Sequence, residues 1–366
     1  MIDLVAPVDD LLFLLCLNDR GGAEISMIKL AEGLLAAGRA VTLAVYGSNP
    51  HLARELGFSG EVIDLQAGRT ATAFVPLCRL LRRRHFVFLI SALSHTNIIA
   101  IAATRTAARH MRVIVTEHSI DGVDAYHASS FFAALTRFAY ERASVVIGVS
   151  QVLAEHWRHL LSSRVPVTFL YNPVVGDKEQ APPPPAHEWL INQNIPVIMG
   201  IGRLKAEKNF SLLIKAFAEV VEKCPSRLII LGEGEQRKML TALAHQLGVS
   251  DKVLLPGFTA NPEAWLAHAS LLVCSSKREG FGNVIAEALA CGVPVVACDC
   301  PCGPAEILEH GCYGRLVPMD DVAAMAVAIE ETLKGTSDPR PLRARARAFT
   351  ISRCIDAYGR LIDSLR

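Results

Sequence analysis

The stretch Leu11-Leu12-Phe13-Leu14-Leu15-Cys16-Leu17-Asn18-Asp19-Arg20-Gly21-Gly22 decides how the chain folds. Its apolar run is too short to span a membrane and suits a strand buried on both faces. The run ends in a polar turn with two glycines. Ile25, Ile28, Leu30, Leu34 and Leu35 then recur at helical spacing, Gly38 closes that helix, and residues 40–46 read as the next strand. Strand, glycine turn, helix and strand make a βαβ unit. Working outward, short apolar strands are predicted over 86–90, 112–116 and 144–149, with helical stretches between them. Such alternation implies a parallel sheet covered on both faces.

The pattern breaks at Ala181-Pro182-Pro183-Pro184-Pro185-Ala186, where consecutive prolines exclude helix and central strand and predict a stiff connector. It then restarts. Strands are predicted over 196–200, 227–231, 253–255, 271–274 and 294–297, with helices over 211–221 and 235–247 and another from Asn283. A length of 366 residues at about 150 per domain fits two domains. The predicted fold class is α/β: two doubly wound, Rossmann-like domains facing across a crevice, with ligands beyond the carboxyl ends of the strands. The expected divisions are an N-terminal domain over 1–177, a connector over 178–190, a C-terminal domain over 191–345 and a last helix over 346–366 that crosses back to the first domain. Ile351, Cys354, Ile355, Tyr358, Leu361 and Ile362 share one face of that helix.

Lys and Arg number 37 against 36 Asp and Glu, a balance that argues against a protein built to grip nucleic acid. Apolar residues at 51% exclude wholesale disorder, and a mean hydropathy of +0.31 points to a large buried sheet, a membrane-facing surface, or both. No Lys or Arg precedes Arg20, so no secretory signal is expected, and the ten cysteines read as reduced thiols of a cytoplasmic protein. Cys291, Cys298, Cys300, Cys302, His310 and Cys312 lack the paired spacing of structural zinc and are read as buried or loop thiols, with no metal. There is no Walker A loop. Gly232-Glu233-Gly234 follows a strand, but Arg237 leaves the dinucleotide fingerprint incomplete. No Asp-x-Asp pair is available to hold a divalent cation on a diphosphate.

Two constellations in the second half carry chemistry. In Gly200-Ile201-Gly202-Arg203-Leu204-Lys205-Ala206-Glu207-Lys208-Asn209, a strand end is followed by Arg203 and Lys208, a guanidinium and a point charge suited to a diphosphate. In Ser276-Lys277-Arg278-Glu279-Gly280-Phe281-Gly282-Asn283-Val284-Ile285-Ala286-Glu287, a glycine-bearing loop leads into a helix whose start can hold phosphate oxygens. Glu279 precedes those amides. Glu287 lies about 6 Å into the helix, so the two carboxylates can reach opposite ends of one ligand.

Taken in order, Gly202-Arg203-x4-Lys208-Asn209, Leu231-Gly232-Glu233-Gly234, Pro256-Gly257-Phe258, Glu279-Gly280-Phe281-Gly282 and Glu287-Ala288-Leu289-Ala290-x-Gly292-x-Pro294-Val295-Val296 resemble the retaining glycosyltransferases of family 4. The resemblance covers nearly all of the second half. In the first half it rests on Gly21-Gly22-Ala23-Glu24 and the strand pattern. It implies the GT-B fold and transfer of a hexose or N-acetylhexosamine from a nucleotide sugar, with uridine diphosphate (UDP) favoured although no residue reads uracil over guanine. The acceptor would be a glycan or a lipid-linked molecule in surface polysaccharide or lipopolysaccharide synthesis. No cofactor is implied; the nucleotide sugar is a substrate.

By the same resemblance, Arg203 and Lys208 stabilise charge growing on the leaving diphosphate. Glu279 holds donor-sugar hydroxyls, Glu287 the ribose hydroxyls, and the helix start from Gly280 through Phe281, Gly282, Asn283 and Val284 faces sugar and phosphates. Gly22 lets the backbone approach the diphosphate. A first-domain histidine belongs near the reacting carbon; His118 after a strand fits best, and His95 is the other candidate. Glu117 and Glu24 could in principle act as a nucleophile for double displacement, but no spacing selects either, and a front-face reaction asks less of the protein.

Two first-half segments suggest peripheral contact with the inner face of the membrane: the arginine-rich 77–85 and the aromatic-rich 131–138. The competing functions are an epimerase or phosphorylase on the same fold and a non-catalytic scaffold partner. The intact glutamates and the Arg203/Lys208 pair count against the epimerase and the scaffold.

Overall fold

The computed structural model describes residues 10–18, 20–119, 130–177, 183–191 and 194–366. Asp19 of the glycine turn, residues 1–9 of the N-terminus and 178–182 of the proline-rich connector lie outside the described residues. The chain divides into two compact units. One runs to Val174 and takes in Phe349–Arg366, and the other is Val175–Ala348.

The first unit is built on seven parallel strands: β1 (Leu11–Cys16), β2 (Val41–Tyr46), β3 (Glu61–Asp64), β4 (Phe88–Ala92), β5 (Arg112–Glu117), β6 (Val145–Gly148) and β7 (Val167–Phe169). Their order is β3-β2-β1-β4-β5-β6-β7. β1 is central, with Leu11 registered against both Val41 and Phe88, so both of its faces are covered and its side chains can all be apolar. The glycine turn leads directly into the helix Gly22–Ala36, whose Ile28, Leu30, Ala31 and Leu34 are buried on the sheet.

The second unit repeats the design with six parallel strands: β8 (Val197–Ile201), β9 (Arg227–Leu231), β10 (Val253–Gly257), β11 (Leu271–Cys274), β12 (Val295–Cys298) and β13 (Arg315–Val317), ordered β10-β9-β8-β11-β12-β13. Its core gathers Leu212, Leu213 and Phe217 of the helix Phe210–Lys223 with Ile198, Leu228 and Ile230 of the sheet. In each unit, strands are wound outward in both directions from one adjacent pair, β1 with β4 and β8 with β11. Such a switch point opens a cleft beyond the strand ends.

The last helix, Ile351–Ser364, joins the core of the first unit through Ile355, Tyr358 and Ile362. Arg39 ties it down, donating to Asp363 at 2.7 Å and to the Gly359 carbonyl at 3.4 Å, with Asp10 at 3.4 Å on its other side.

Candidate active site

The loops that leave β8 and β11 meet at the switch point of the second unit. Lys208 comes from the first loop and Glu279 from the second, and Lys208 Nζ lies 2.5 Å from Glu279 Oε1 with the side chains 20% and 10% exposed. Ser276 Oγ donates to the same oxygen at 2.7 Å, and Cys274 Sγ approaches it at 3.8 Å. Burial opposes the charge on Lys208, but Glu279 outweighs it and holds the ammonium above the usual lysine range. Lys208 therefore keeps its charge at neutral pH, paired with Glu279.

The two loops are also joined through main chain and neighbours. Ser275 Oγ donates to the Lys208 carbonyl at 2.8 Å, and the Lys277 amide donates to the Glu207 carbonyl at 2.8 Å. Asp320, from the segment after β13, takes a hydrogen bond from Asn209 Nδ2 at 3.0 Å and an ion pair from Lys277 Nζ at 2.9 Å. Asn209 adopts a left-handed conformation (φ 49°) at the turn into the next helix, which asparagine tolerates better than most residues. Arg203 is half exposed and lies 3.5 Å from Glu207. Beneath the first loop, the Leu204 amide donates to the Glu233 carbonyl at 2.8 Å. The Gly232-Glu233-Gly234 run thus serves as a backbone floor for the Arg203–Lys208 segment.

The helix Asn283–Cys291 begins at Gly282, whose φ of 97° makes the sharp entry. Its start presents amides and the positive end of the helix dipole beside Glu279. Phe281 is 2% exposed, so its ring anchors the loop and what it offers a ligand is main chain. Glu287 sits one turn further on, half-buried, as do Asn283 and Val284. Lys208, Glu279 and this helix start are brought together as a charged, anion-accepting corner.

Gly22, His95 and His118 belong to the first unit. Gly22 opens the helix after β1 and His95 lies in the first turn of the helix Ser94–Ala107 after β4, so both flank that unit's switch point. His118 follows β5 directly. Ala92 is registered against Thr116, which brings the two histidine-bearing strand ends side by side. Burial pushes the His118 imidazole down to about 4 and lowers that of His95, so both are neutral at pH 7. Thr116 Oγ1 donates to the Ser91 carbonyl at 2.9 Å and lies 3.2 Å from His118 Nε2. The hydroxyl has one proton, so Nε2 carries the imidazole hydrogen and Nδ1 is left as an acceptor. Nδ1 is buried and finds no partner among the described residues. Glu117 is 1% exposed, which denies it the access a nucleophile requires.

The comparisons with known proteins bear on the family and the fold. Residues 20–177 match the family model described as Glycosyltransferase Family 4, and residues 186–349 match Glycosyl transferases group 1. The N-acetylgalactosamine-N,N'-diacetylbacillosaminyl-diphospho-undecaprenol 4-alpha-N-acetylgalactosaminyltransferase of Campylobacter jejuni is 30% identical over 289 residues, 76% of each chain. The chain belongs to the family 4 glycosyltransferases. The lipopolysaccharide core biosynthesis glycosyltransferase LpsE of Rhizobium meliloti is 35% identical over 174 residues, 46% of this glycosyltransferase and 50% of LpsE. Among solved structures, HepE of Anabaena in complex with UDP-glucose superposes with a TM-score of 0.81 at 23% identity, over 97% of this chain and 99% of that one. That likeness establishes the GT-B fold.

The sequence reading of this glycosyltransferase did not give Ser275, Ser276, Asn209 or Asp320 a role. Asn209 stood next to Lys208 in a quoted motif, and its left-handed turn is a signal that residue type alone could have raised. Nothing in the sequence points to Asp320. Cys298, Cys300 and Cys302 are buried, and burial pushes the Cys298 thiol up to about 12, which leaves it protonated at neutral pH. Gly303 (φ 86°) has a specific constraint: a Cβ there would sit 1.8 Å from the Phe281 carbonyl oxygen. Gly303→Ala is therefore expected to displace the Gly280–Asn283 loop, raising the KM for donor about tenfold or more while the circular dichroism spectrum is preserved. An unchanged KM would show that the loop absorbs the methyl group.

Proposed function

We propose that this enzyme transfers a hexose or N-acetylhexosamine from a UDP-sugar, with retention of anomeric configuration and without a metal ion, to a glycan or lipid-linked acceptor of surface polysaccharide or lipopolysaccharide synthesis. The observation that carries the reading is the Lys208–Glu279 pair beside a helix start at the switch point. In this reading Lys208 and Arg203 meet the diphosphate and neutralise the charge that develops as the glycosidic bond breaks. Glu279 turns from Lys208 toward the sugar hydroxyls, and Glu287 takes the ribose. The neutral imidazole of His118 stands on the sugar side of the first unit, and Gly22 leaves room for phosphate.

Burial of Glu117 favours a front-face reaction, in which the departing phosphate oxygen receives the acceptor proton. The donor class is supported by the UDP-glucose complex of HepE, and the acceptor class by the undecaprenol-linked substrate named for the Campylobacter transferase. The test is thermal shift and nucleotide release with a panel of uridine and guanosine diphosphate sugars, with and without chelator. Stabilisation by one UDP-sugar, unaffected by chelator and lost in Glu287→Ala, is expected. Absence of any shift in folded protein would reject the reading.

The same proposal places the enzyme at the inner face of the cell membrane, in the cytoplasm. Among the described residues no helix is long and apolar enough to cross a membrane. The two candidate contact segments differ. In the helix Thr70–Arg83, Leu77, Cys78 and Leu81 are buried on the protein, so the apolar side is already used. In the helix Ser130–Tyr140, Phe131 and Phe138 are 74% and 59% exposed and share a face with Leu135, and the Arg142 guanidinium stacks 3.7 Å from the Phe138 ring. Aromatic rings with arginine beside them suit an anionic lipid surface, which supports this second helix as the proposed contact.

A further inference from the structure

Among the described residues of the first unit, Glu117 is the most deeply buried carboxyl group without a basic partner. It closes β5, next to His118, at 1% exposure. Its Oε1 takes all of its hydrogen bonds from described residues: one from Tyr140 OH, one from Ser94 Oγ at 3.0 Å and one from Asn97 Nδ2 at 3.2 Å. The two protons of Asn97 Nδ2 are shared among Glu117, the Thr116 carbonyl at 3.0 Å and Tyr140 OH at 2.7 Å, and Asn97 Oδ1 accepts from Ser91 Oγ at 2.7 Å. Three elements thus converge on one carboxyl: the strand end that bears His118, the helix start that bears His95, and the last turn of the helix Ser130–Tyr140.

We propose that Glu117 is a positioning residue that works with its carboxyl protonated, clamping the strand end of His118 to the Ser94–Ala107 and Ser130–Tyr140 helices, so that sugar transfer slows when the proton is lost. The proposal rests on the reading of His118 as a residue that faces the donor sugar.

Every described group that hydrogen-bonds to the carboxyl is neutral. Ser94 and Asn97 come from one helix. Tyr140 comes from the other, and burial holds its hydroxyl well above its ordinary titration range. On the same strand end His118 is uncharged, and so is His95 in the first turn of its helix. No basic side chain among the described residues hydrogen-bonds to the carboxyl. Burial accordingly pushes Glu117 from its ordinary value of 4.5 up to about 7, against the pull of its hydrogen bonds from Tyr140, Ser94 and Asn97. An ionised Glu117 would be a charge without a counterion inside the unit, and the convergence of helix ends around it would loosen.

The sign follows for two observables. A carboxyl raised in the folded state contributes stability that is whole below about 4.5 and lost as the pH climbs to about 7, after which it is level. Activity depends on the folded protein alone and falls above about 7.

The experiment measures kcat from about pH 6 to 9 and the melting temperature from about pH 5 to 8, for wild-type protein, Glu117→Gln and Tyr140→Phe. Glu117→Gln keeps an acceptor for Tyr140, Ser94 and Asn97 and cannot ionise. Wild-type kcat is expected to fall about tenfold between pH 7 and 8.5, while Glu117→Gln stays level and within about threefold of the wild type at pH 6. The melting temperature of Glu117→Gln should gain on wild type between pH 5 and 7. Tyr140→Phe removes a donor to the ionised oxygen and should move the kinetic midpoint upward. The same descending limb in Glu117→Gln, or a melting difference that does not vary with pH, overturns the proposal. If Glu117→Gln does not fold, a midpoint unmoved or lowered in Tyr140→Phe overturns it. If wild-type protein turns over no nucleotide sugar, the transferase reading fails on its own, and the melting curves still decide the role of Glu117.

Discussion

Lys208→Ala is expected to lower kcat about 10²- to 10³-fold, the usual cost of removing one preorganised group aimed at developing charge. The ammonium is held 2.5 Å from Glu279 in a pocket that exposes a fifth of the lysine side chain. Its charge is therefore in place before the donor arrives, at little cost in reorganisation. Removing it leaves Glu279 without a counter-charge at 10% exposure, and breaking such a pair costs about 3 kcal/mol of stability. The variant should remain folded within the usual 5–15 kcal/mol margin of a domain, with a lower melting temperature.

The two losses can be separated. Lys208→Ala combined with Glu279→Gln removes the stranded charge while Ser276 can still bond the remaining side chain, so the melting temperature should recover. Activity should not, because the diphosphate still lacks its cation. If the double variant regained activity with stability, the single loss would be one of folding, and the electrostatic role of Lys208 would fail.

How far these features could be read in advance depends on what each residue packs against. The central strands were legible because both of their faces are buried: β1, β4, β5 and β6 of the first unit and β8, β9, β11 and β12 of the second read as short apolar runs. β3 (Glu-Val-Ile-Asp), β7 and β13 were missed. Each is three or four residues long at or next to a sheet edge, with polar or half-exposed side chains, and carries no such run. The motifs proposed to bind the donor were legible because glycine and charge recur at fixed offsets from strand ends.

The direct pairing of Lys208 with Glu279 was not legible, since it depends on β8 and β11 being neighbours although 71 residues separate the two side chains. Asp320 is hidden for the same reason, and so is the state of Glu117. Its sequence neighbours say only that it ends a strand. The neutral ring of Ser94, Asn97 and Tyr140 around it is assembled from two other elements.

Removal of the chain after Thr350 is expected to abolish soluble expression, although every proposed donor-binding residue lies upstream. The helix Ile351–Ser364 buries Ile355, Tyr358 and Ile362 in the same core as Leu11, Phe13 and Leu34. At about 2 kcal/mol for each of these three side chains, the lost burial approaches the whole stability of a domain. Ile355 is seated on the bare backbone of Gly33, where a Cβ would fall 1.7 Å from its Cδ1. The graded version is Ile355→Ala, which should cost about 2–4 kcal/mol and lower the melting temperature of the first unit by about 6–12 °C. Its affinity for UDP should stay within about twofold of wild type, because Lys208, Glu279 and Glu287 belong to the other unit. A truncated protein that melts like the full chain would show that the first unit closes without its last helix. An Ile355→Ala protein that lost UDP binding in proportion to its stability would show instead that the two units unfold as one.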